Sequence, residues 1–157
     1  MQFSSKEKTV KAFHLFIILL SGLMLSCDND DYPYSEVPSV VLNKLRVEYS
    51  NAREVDFELQ NENHEAEFEI EGDDYNVLID PLGNIIAEKT EITWDALPAE
   101  VKQKLENEFG RNKIEDPELV KIGEEIHFQV EVKRFLTDDK LVLDESGNQA
   151  KDLSYWK

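Results

Sequence analysis

Val37-Pro38-Ser39-Val40-Val41-Leu42-Asn43-Lys44-Leu45-Arg46-Val47-Glu48-Tyr49 is followed, sixty residues on, by Leu97-Pro98-Ala99-Glu100-Val101-Lys102-Gln103-Lys104-Leu105-Glu106-Asn107-Glu108-Phe109. Pro38 falls on Pro98, Lys44 on Lys104 and Glu48 on Glu108, while Val41, Leu45 and Tyr49 fall on Val101, Leu105 and Phe109. A spacing of four puts those apolar side chains on one stripe of a helix, so each copy starts with an amphipathic helix. Proline suits a first turn, whose N–H groups have no intrahelical partner. Ser35 and Asp95 stand where a side-chain oxygen would take up a free N–H, and Gly110 stands where the second helix would stop. Self-similarity at a fixed period means one unit built twice.

Beyond each helix the period changes to two. Val55, Phe57 and Leu59 alternate with Asp56 and Glu58, and Phe68 and Ile70 alternate with Glu67, Glu69 and Glu71, the pattern of strands with one wet face. The same offset carries Ala66, Phe68 and Ile70 onto Ile126, Phe128 and Val130. A third strand over 75–80 runs into Asp80-Pro81-Leu82-Gly83-Asn84; its counterpart over 140–144 runs into Asp144-Glu145-Ser146-Gly147-Asn148. The offset has grown to 64, which places a four-residue insertion around 133–139. Asp followed by Gly-Asn three residues on is a hairpin turn with Gly in a left-handed position. Residues 85–93 are predicted as one more strand leading into the second helix. The fold class is therefore α+β, two tandem helix-plus-antiparallel-sheet repeats over 37–93 and 94–150. A unit of about 60 residues is marginal alone, so the copies are expected to share one sheet or core.

These residues, the Val37-Pro38 and Leu97-Pro98 starts, the helix stripes ending in Tyr49 and Phe109, and Phe68-Glu69-Ile70 with the turn over 80–84, resemble the PepSY-like, β-lactamase-inhibitor-like family of small tandem-repeat envelope proteins. The resemblance covers roughly 37–148. It implies a helix-plus-sheet fold in two copies, an envelope setting and a binding or inhibitory role without catalysis. Members often carry Trp in the first strand of a repeat, where this chain has Val55-Asp56-Phe57, and the second copy is irregular around Pro117. The β-lactamase inhibitors that name the family hold disulfides within their repeats. This chain has one cysteine, so inhibition of β-lactamase is not carried over.

The start of the chain is a separate unit. Lys6, Lys8 and Lys11 precede an apolar run from Phe13 to Leu25 that is too short to span a bilayer and ends in small Ser26, the order of parts of a secretory signal over 1–26. Met24-Leu25-Ser26-Cys27 resembles a lipobox, although Met24 and the bulky Leu25 depart from its preferred residues. Cys27 is thus the expected lipidation site, residues 27–36 form an acidic linker, and the working domain is 37–157. The acidic cluster 28–31 is similar to the signal that sends lipoproteins of the Bacteroidetes group to the cell surface. An exported, lipid-anchored protein on the periplasmic or surface side of the outer membrane is the expectation.

Removing residues 1–26 takes away three Lys and one Glu, leaving 14 basic against 33 acidic residues, a net charge of −19. Such a surface repels nucleic-acid phosphates and anionic lipid heads alike, so membrane attachment falls to the lipid on Cys27 alone. With 41% hydrophobic residues the chain still holds enough apolar material for a packed core.

Material for catalysis is thin, and no enzyme is predicted. His14 belongs to the signal, His64 lies in a polar stretch read as a solvated turn, and His127 alternates with Ile126 and Phe128 toward the wet face of a strand. No cofactor is implied. Cation binding is the alternative function, because Asp73 and Asp74 correspond to Asp138 and Asp139, and Asp80 corresponds to Asp144, and hard cations such as Ca²⁺ want oxygen ligands. The leading expectation is a partner protein with a basic surface. It would dock on the sheet face without helices, at Glu58, Glu67, Glu69, Glu71, His127, Gln129 and Glu131. Trp156, read as an exposed aromatic at a frayed end, would add a hot spot, and Trp94 would pack between the repeats.

Overall fold

The computed structural model describes residues 32–157; the signal, the lipobox with Cys27 and the acidic cluster of the linker lie outside the described residues. Each copy opens with one turn of 3₁₀ helix, Tyr34–Glu36 and Trp94–Ala96, followed by α1 (Ser39–Glu48) or α2 (Ala99–Phe109). The strands are β1 (Arg53–Gln60), β2 (Asn63–Ile70), β3 (Asp73–Ile79) and β4 (Ile85–Glu91) in the first copy, then β5 (Ile114–Ile122), β6 (Glu125–Val132) and β7 (Asp139–Asp144) in the second. All seven form one antiparallel sheet in chain order, so the shared sheet is realised through the β4–β5 ladder from Ala87–Ile122 to Glu91–Glu118.

Both helices start differently from expectation. Pro38 and Pro98 are the N-cap residues, and neither helix has a side-chain cap bond. Ser35 and Asp95 are instead used up in the 3₁₀ turns, where Val37 N–H bonds the Tyr34 carbonyl and Leu97 N–H the Trp94 carbonyl. Gly110 ends α2 at φ 85°, a left-handed position that favours glycine.

The helices pack on one face of the sheet over two separate cores. Val37, Val41, Leu45, Phe57, Phe68 and Ile79 build the first with Ala66 and Val77; Leu97, Val101, Leu105, Ile114, Phe128 and Leu143 build the second with Val130 and Val132. The helix stripes and the Phe68–Phe128 equivalence are thus the repeat's core. Trp94 does not lie between the copies: it packs against the second core, with the Arg111 guanidinium 4.2 Å over its ring. In β1 only Phe57 is fully buried, and Leu59 is exposed, because this edge strand has a neighbour on one side.

The two hairpin turns are built alike. In the first, an Asp80 carboxylate oxygen accepts the N–H groups of Leu82 and Asn84 and the other accepts the Asn84 side-chain amide; in the second, Asp144 takes Asn148 N–H and its amide in the same way. Gly83 and Gly147 then pass directly beneath a helix. An added Cβ would lie 2.8 Å from Val40 Cγ2 in one case and 3.1 Å from Val101 Cα in the other. The glycines are therefore required twice over, by φ of 85° and 74° and by the closeness of the helix.

Short segments also touch the two outer strands. Tyr32 N–H bonds Phe57 O on β1, the equivalent at offset sixty of the Ile92 to Pro117 bond that helps join the copies. Gln149 bridges to Leu143 and Ala150 N–H bonds Val142 O beyond β7.

Candidate functional site: the open face of the sheet

Alternation sends Glu65, Glu67 and Glu69 of β2, Lys89 of β4, Glu118 and Val120 of β5 and Gln129 and Glu131 of β6 to the face away from the helices. Cross-strand pairing lines them up: Glu67 beside Asn76, Asn76 beside Lys89, Lys89 beside Val120, and Val120 beside His127.

Residues 155–157 cross this face, and they reorganise it. Gln129, 1% exposed, holds Trp156 by its backbone: Trp156 N–H donates to Gln129 Oε1 at 2.9 Å and Gln129 Nε2 donates to the Trp156 carbonyl at 2.9 Å. The second Nε2 proton goes to Glu118 Oε2 at 3.0 Å, so both donors of the amide are used. The indole N–H of Trp156 reaches the other copy, donating to Glu65 Oε1 at 2.8 Å. Lys89 Nζ sits 5.6 Å from the indole centroid and 3.4 Å from Glu118 Oε1. Tyr155 donates to Glu118 Oε2 at 3.3 Å, with Lys140 Nζ 4.5 Å from its ring centroid.

Charge in this network is balanced by hydrogen bonds more than by ion pairs. Burial pushes the Glu65 carboxyl above the usual range, while the donors on Trp156 and Asn76 and the nearby Lys89 pull the other way. Gln60 adds a third side-chain donor at 3.2 Å. The Tyr155 hydroxyl is raised by burial first and by the charge of Glu118 next.

Several sequence expectations are corrected here. Trp156 is half-buried, not an exposed residue of a frayed end, and Gln129 is buried beneath it. His127 is buried, with Nδ1 unpartnered and Nε2 3.4 Å from Glu125. His64 lies within β2 and not in a turn; it is buried edge-on to Tyr32, and burial lowers its pKa. Glu71 sits in the β2–β3 turn at φ 58° and leaves the sheet face. Glu58, Glu67 and Glu69 remain exposed on the open face, and Glu131 pairs with Lys140 there.

The six aspartates considered for a cation are spread out. Asp80 and Asp144 cap their turns, bonds that hold both carboxyls below the usual range. Asp138 bonds Lys133 and the backbone of Arg134, Asp139 pairs with the Arg134 guanidinium, and Asp73 and Asp74 start β3 opposite Ile70 and Glu69. Among the described residues no group of three or more His, Cys, Asp or Glu is placed to hold a metal ion.

One feature escaped the sequence reading. The β6–β7 insertion raises Phe135 and Leu136 at its tip, 99% and 89% exposed. Its base is pinned by Lys133 to Glu115 and Asp138, each at 3.1 Å, and Arg134 lies 5.3 Å from the Phe109 ring centroid. The signal was available: two adjacent large apolar residues inside a polar insertion that copy one lacks.

A family model described as "Putative beta-lactamase-inhibitor-like, PepSY-like" matches over residues 23–87 and again over 85–151. The chain belongs to this family. Similar PepSY-like folds occur among solved structures from Bacteroides. One from B. eggerthii, described as among "putative periplasmic proteins", is 19% identical, with a TM-score of 0.69 over 73% of this chain and 86% of that one. A DUF2874 family protein of B. uniformis is 20% identical, with a TM-score of 0.67 over 73% and 86%. A BLIP-like protein of B. fragilis is 20% identical, with a TM-score of 0.61 over 71% and 82%. These likenesses concern the fold. None of the curated proteins matches the chain. Among the described residues no helix is long and apolar enough to cross a membrane.

Proposed function

We propose that this PepSY-like protein is a non-catalytic binding protein of the cell envelope, held by lipid on Cys27, that docks a protein partner with a basic surface. The observation that carries the reading is the loop tip. Burying a Phe or Leu side chain is worth about 1.5–3 kcal/mol, and Phe135 and Leu136 forgo it on a loop whose base is fixed by ion pairs. Large apolar side chains presented on a fixed loop are anchors for a pocket on another molecule. The exposed carboxylates Glu58, Glu67 and Glu69 supply a field that steers a basic partner. Inhibition of that partner follows from the same contact where the contacted surface is the partner's own working site, since an occupied site is a blocked one.

The test is capture from envelope extracts with three baits: the unmodified protein, Phe135→Ser with Leu136→Ser, and Glu67→Lys, Glu69→Lys, Glu131→Lys combined. The first is expected to retain a protein that the second loses and that salt weakens. Identical proteins on all three baits would overturn the reading.

A further inference from the structure

We propose that the open face is a peptide site, selective for an extended segment with tryptophan followed by a basic residue, and that residues 155–157 fill it in cis. This rests on the binding role above and names the ligand chemistry of the open face. Three observations carry it. The Gln129 amide pairs with both backbone groups of one residue, as a neighbouring strand would, so it reads an extended chain and not a particular side chain. Glu65 is a buried carboxylate aimed at a donor on a large planar ring, which an indole has and a phenyl lacks. Lys157 lines a groove with six carboxylates, Glu67, Asp74, Glu91, Asp116, Glu118 and Glu131, against two other ammonium groups, Lys89 and Lys140, so the position after the indole lies in a net acidic groove.

The occupant seen is a local sequence joined to the sheet by the short stretch after Ala150, so it competes as a tethered ligand. Short flexible tethers give effective concentrations of about a millimolar. A partner segment that binds the vacant face with a Kd near ~100 μM would then bind the intact protein roughly tenfold more weakly. A partner presenting such a segment from a loop would displace residues 155–157 and gain the same contacts.

The probe is the capped synthetic peptide Leu-Ser-Tyr-Trp-Lys, titrated by calorimetry into purified protein. Trp156→Ala should bind it saturably at one site, the unmodified protein about tenfold more weakly, and Trp156→Ala combined with Gln129→Ala not at all. A peptide with Ala in place of Trp should fail with every form. Absence of binding to a cooperatively melting Trp156→Ala protein overturns the proposal, as does equal affinity with and without Trp156. If Trp156→Ala does not fold, Gln129→Asn in a Trp94→Phe background replaces it: acrylamide should then quench Trp156 several-fold more readily, and unchanged quenching overturns the proposal. No envelope partner enters these titrations, so a failed titration beside a successful capture is told apart from a failed capture.

Discussion

Gly147→Ala should destabilise the protein well beyond what its backbone angle alone demands. An L residue in the left-handed region costs roughly 1–2 kcal/mol, which applies at φ 74°. The new methyl would also lie 3.0 Å from Lys104 Cδ, 3.1 Å from Val101 Cα and 3.3 Å from Glu100 O. Lys104 can swing aside, but Val101 Cα belongs to the first turn of α2, which two core side chains hold down. Overpacking against such a wall costs about 1–3 kcal/mol. The lower entropy of the unfolded chain returns about 0.4–1 kcal/mol, leaving a net loss of roughly 1–4.5 kcal/mol. Gly123→Ala is the control: its φ is 61°, yet nothing lies within 4 Å of the added carbon, so only the conformational cost applies. Thermal melts followed by circular dichroism should place Gly147→Ala about 5–10 °C below Gly123→Ala. Equal melting temperatures would refute the claim that the turn is packed under the helix.

Three further outcomes are expected. Asp80→Asn with Asp144→Asn keeps an acceptor oxygen in each turn but removes the charge; because both carboxyls sit below their ordinary 3.8, their stabilisation is present above that value and fades as pH falls. The melting-temperature gap between wild type and this variant should therefore close toward pH 2, and a constant gap would contradict it. Burial lowers the His64 pKa from 6.5, so the unfolded chain takes up a proton first and stability erodes as pH drops below about 6.5; His64→Phe should flatten the melting-temperature slope between pH 7 and 5. Leu105→Ala should cost about 2–5 kcal/mol in denaturant melts, whereas Val47→Ala, on the exposed side of α1, should stay within roughly 0.5 kcal/mol.

Repetition made most of the fold legible. Val41 and Val101, Leu45 and Leu105, Phe68 and Phe128 are buried as pairs because each does the same job in its own core. The Asp–Gly–Asn turns were readable for the same reason, since their bonding is local. The site was only partly legible. Glu67, Glu69 and Glu131 face away from the helices by alternation alone. What alternation does not reveal is a segment returning from 27 residues away to cover Gln129, or from 91 residues away to meet Glu65. Trp156 departs from the sequence expectation for that one reason: its burial is made by a contact with no local pattern. His64 differs from expectation for another reason: the polar run around it holds a loop of only Asn61 and Glu62, so His64 already belongs to β2.

Every strand of this sheet pairs with its neighbours in sequence, so within each copy the ladder can zip from hairpin to hairpin, and only the β4–β5 junction must wait for α2 to bring distant chain back. Docking of residues 155–157 is different in kind: it needs β2, β4 and β6 already in place, and no strand needs it in return. It can therefore open while every rung of the sheet stays closed, uncovering the face beneath.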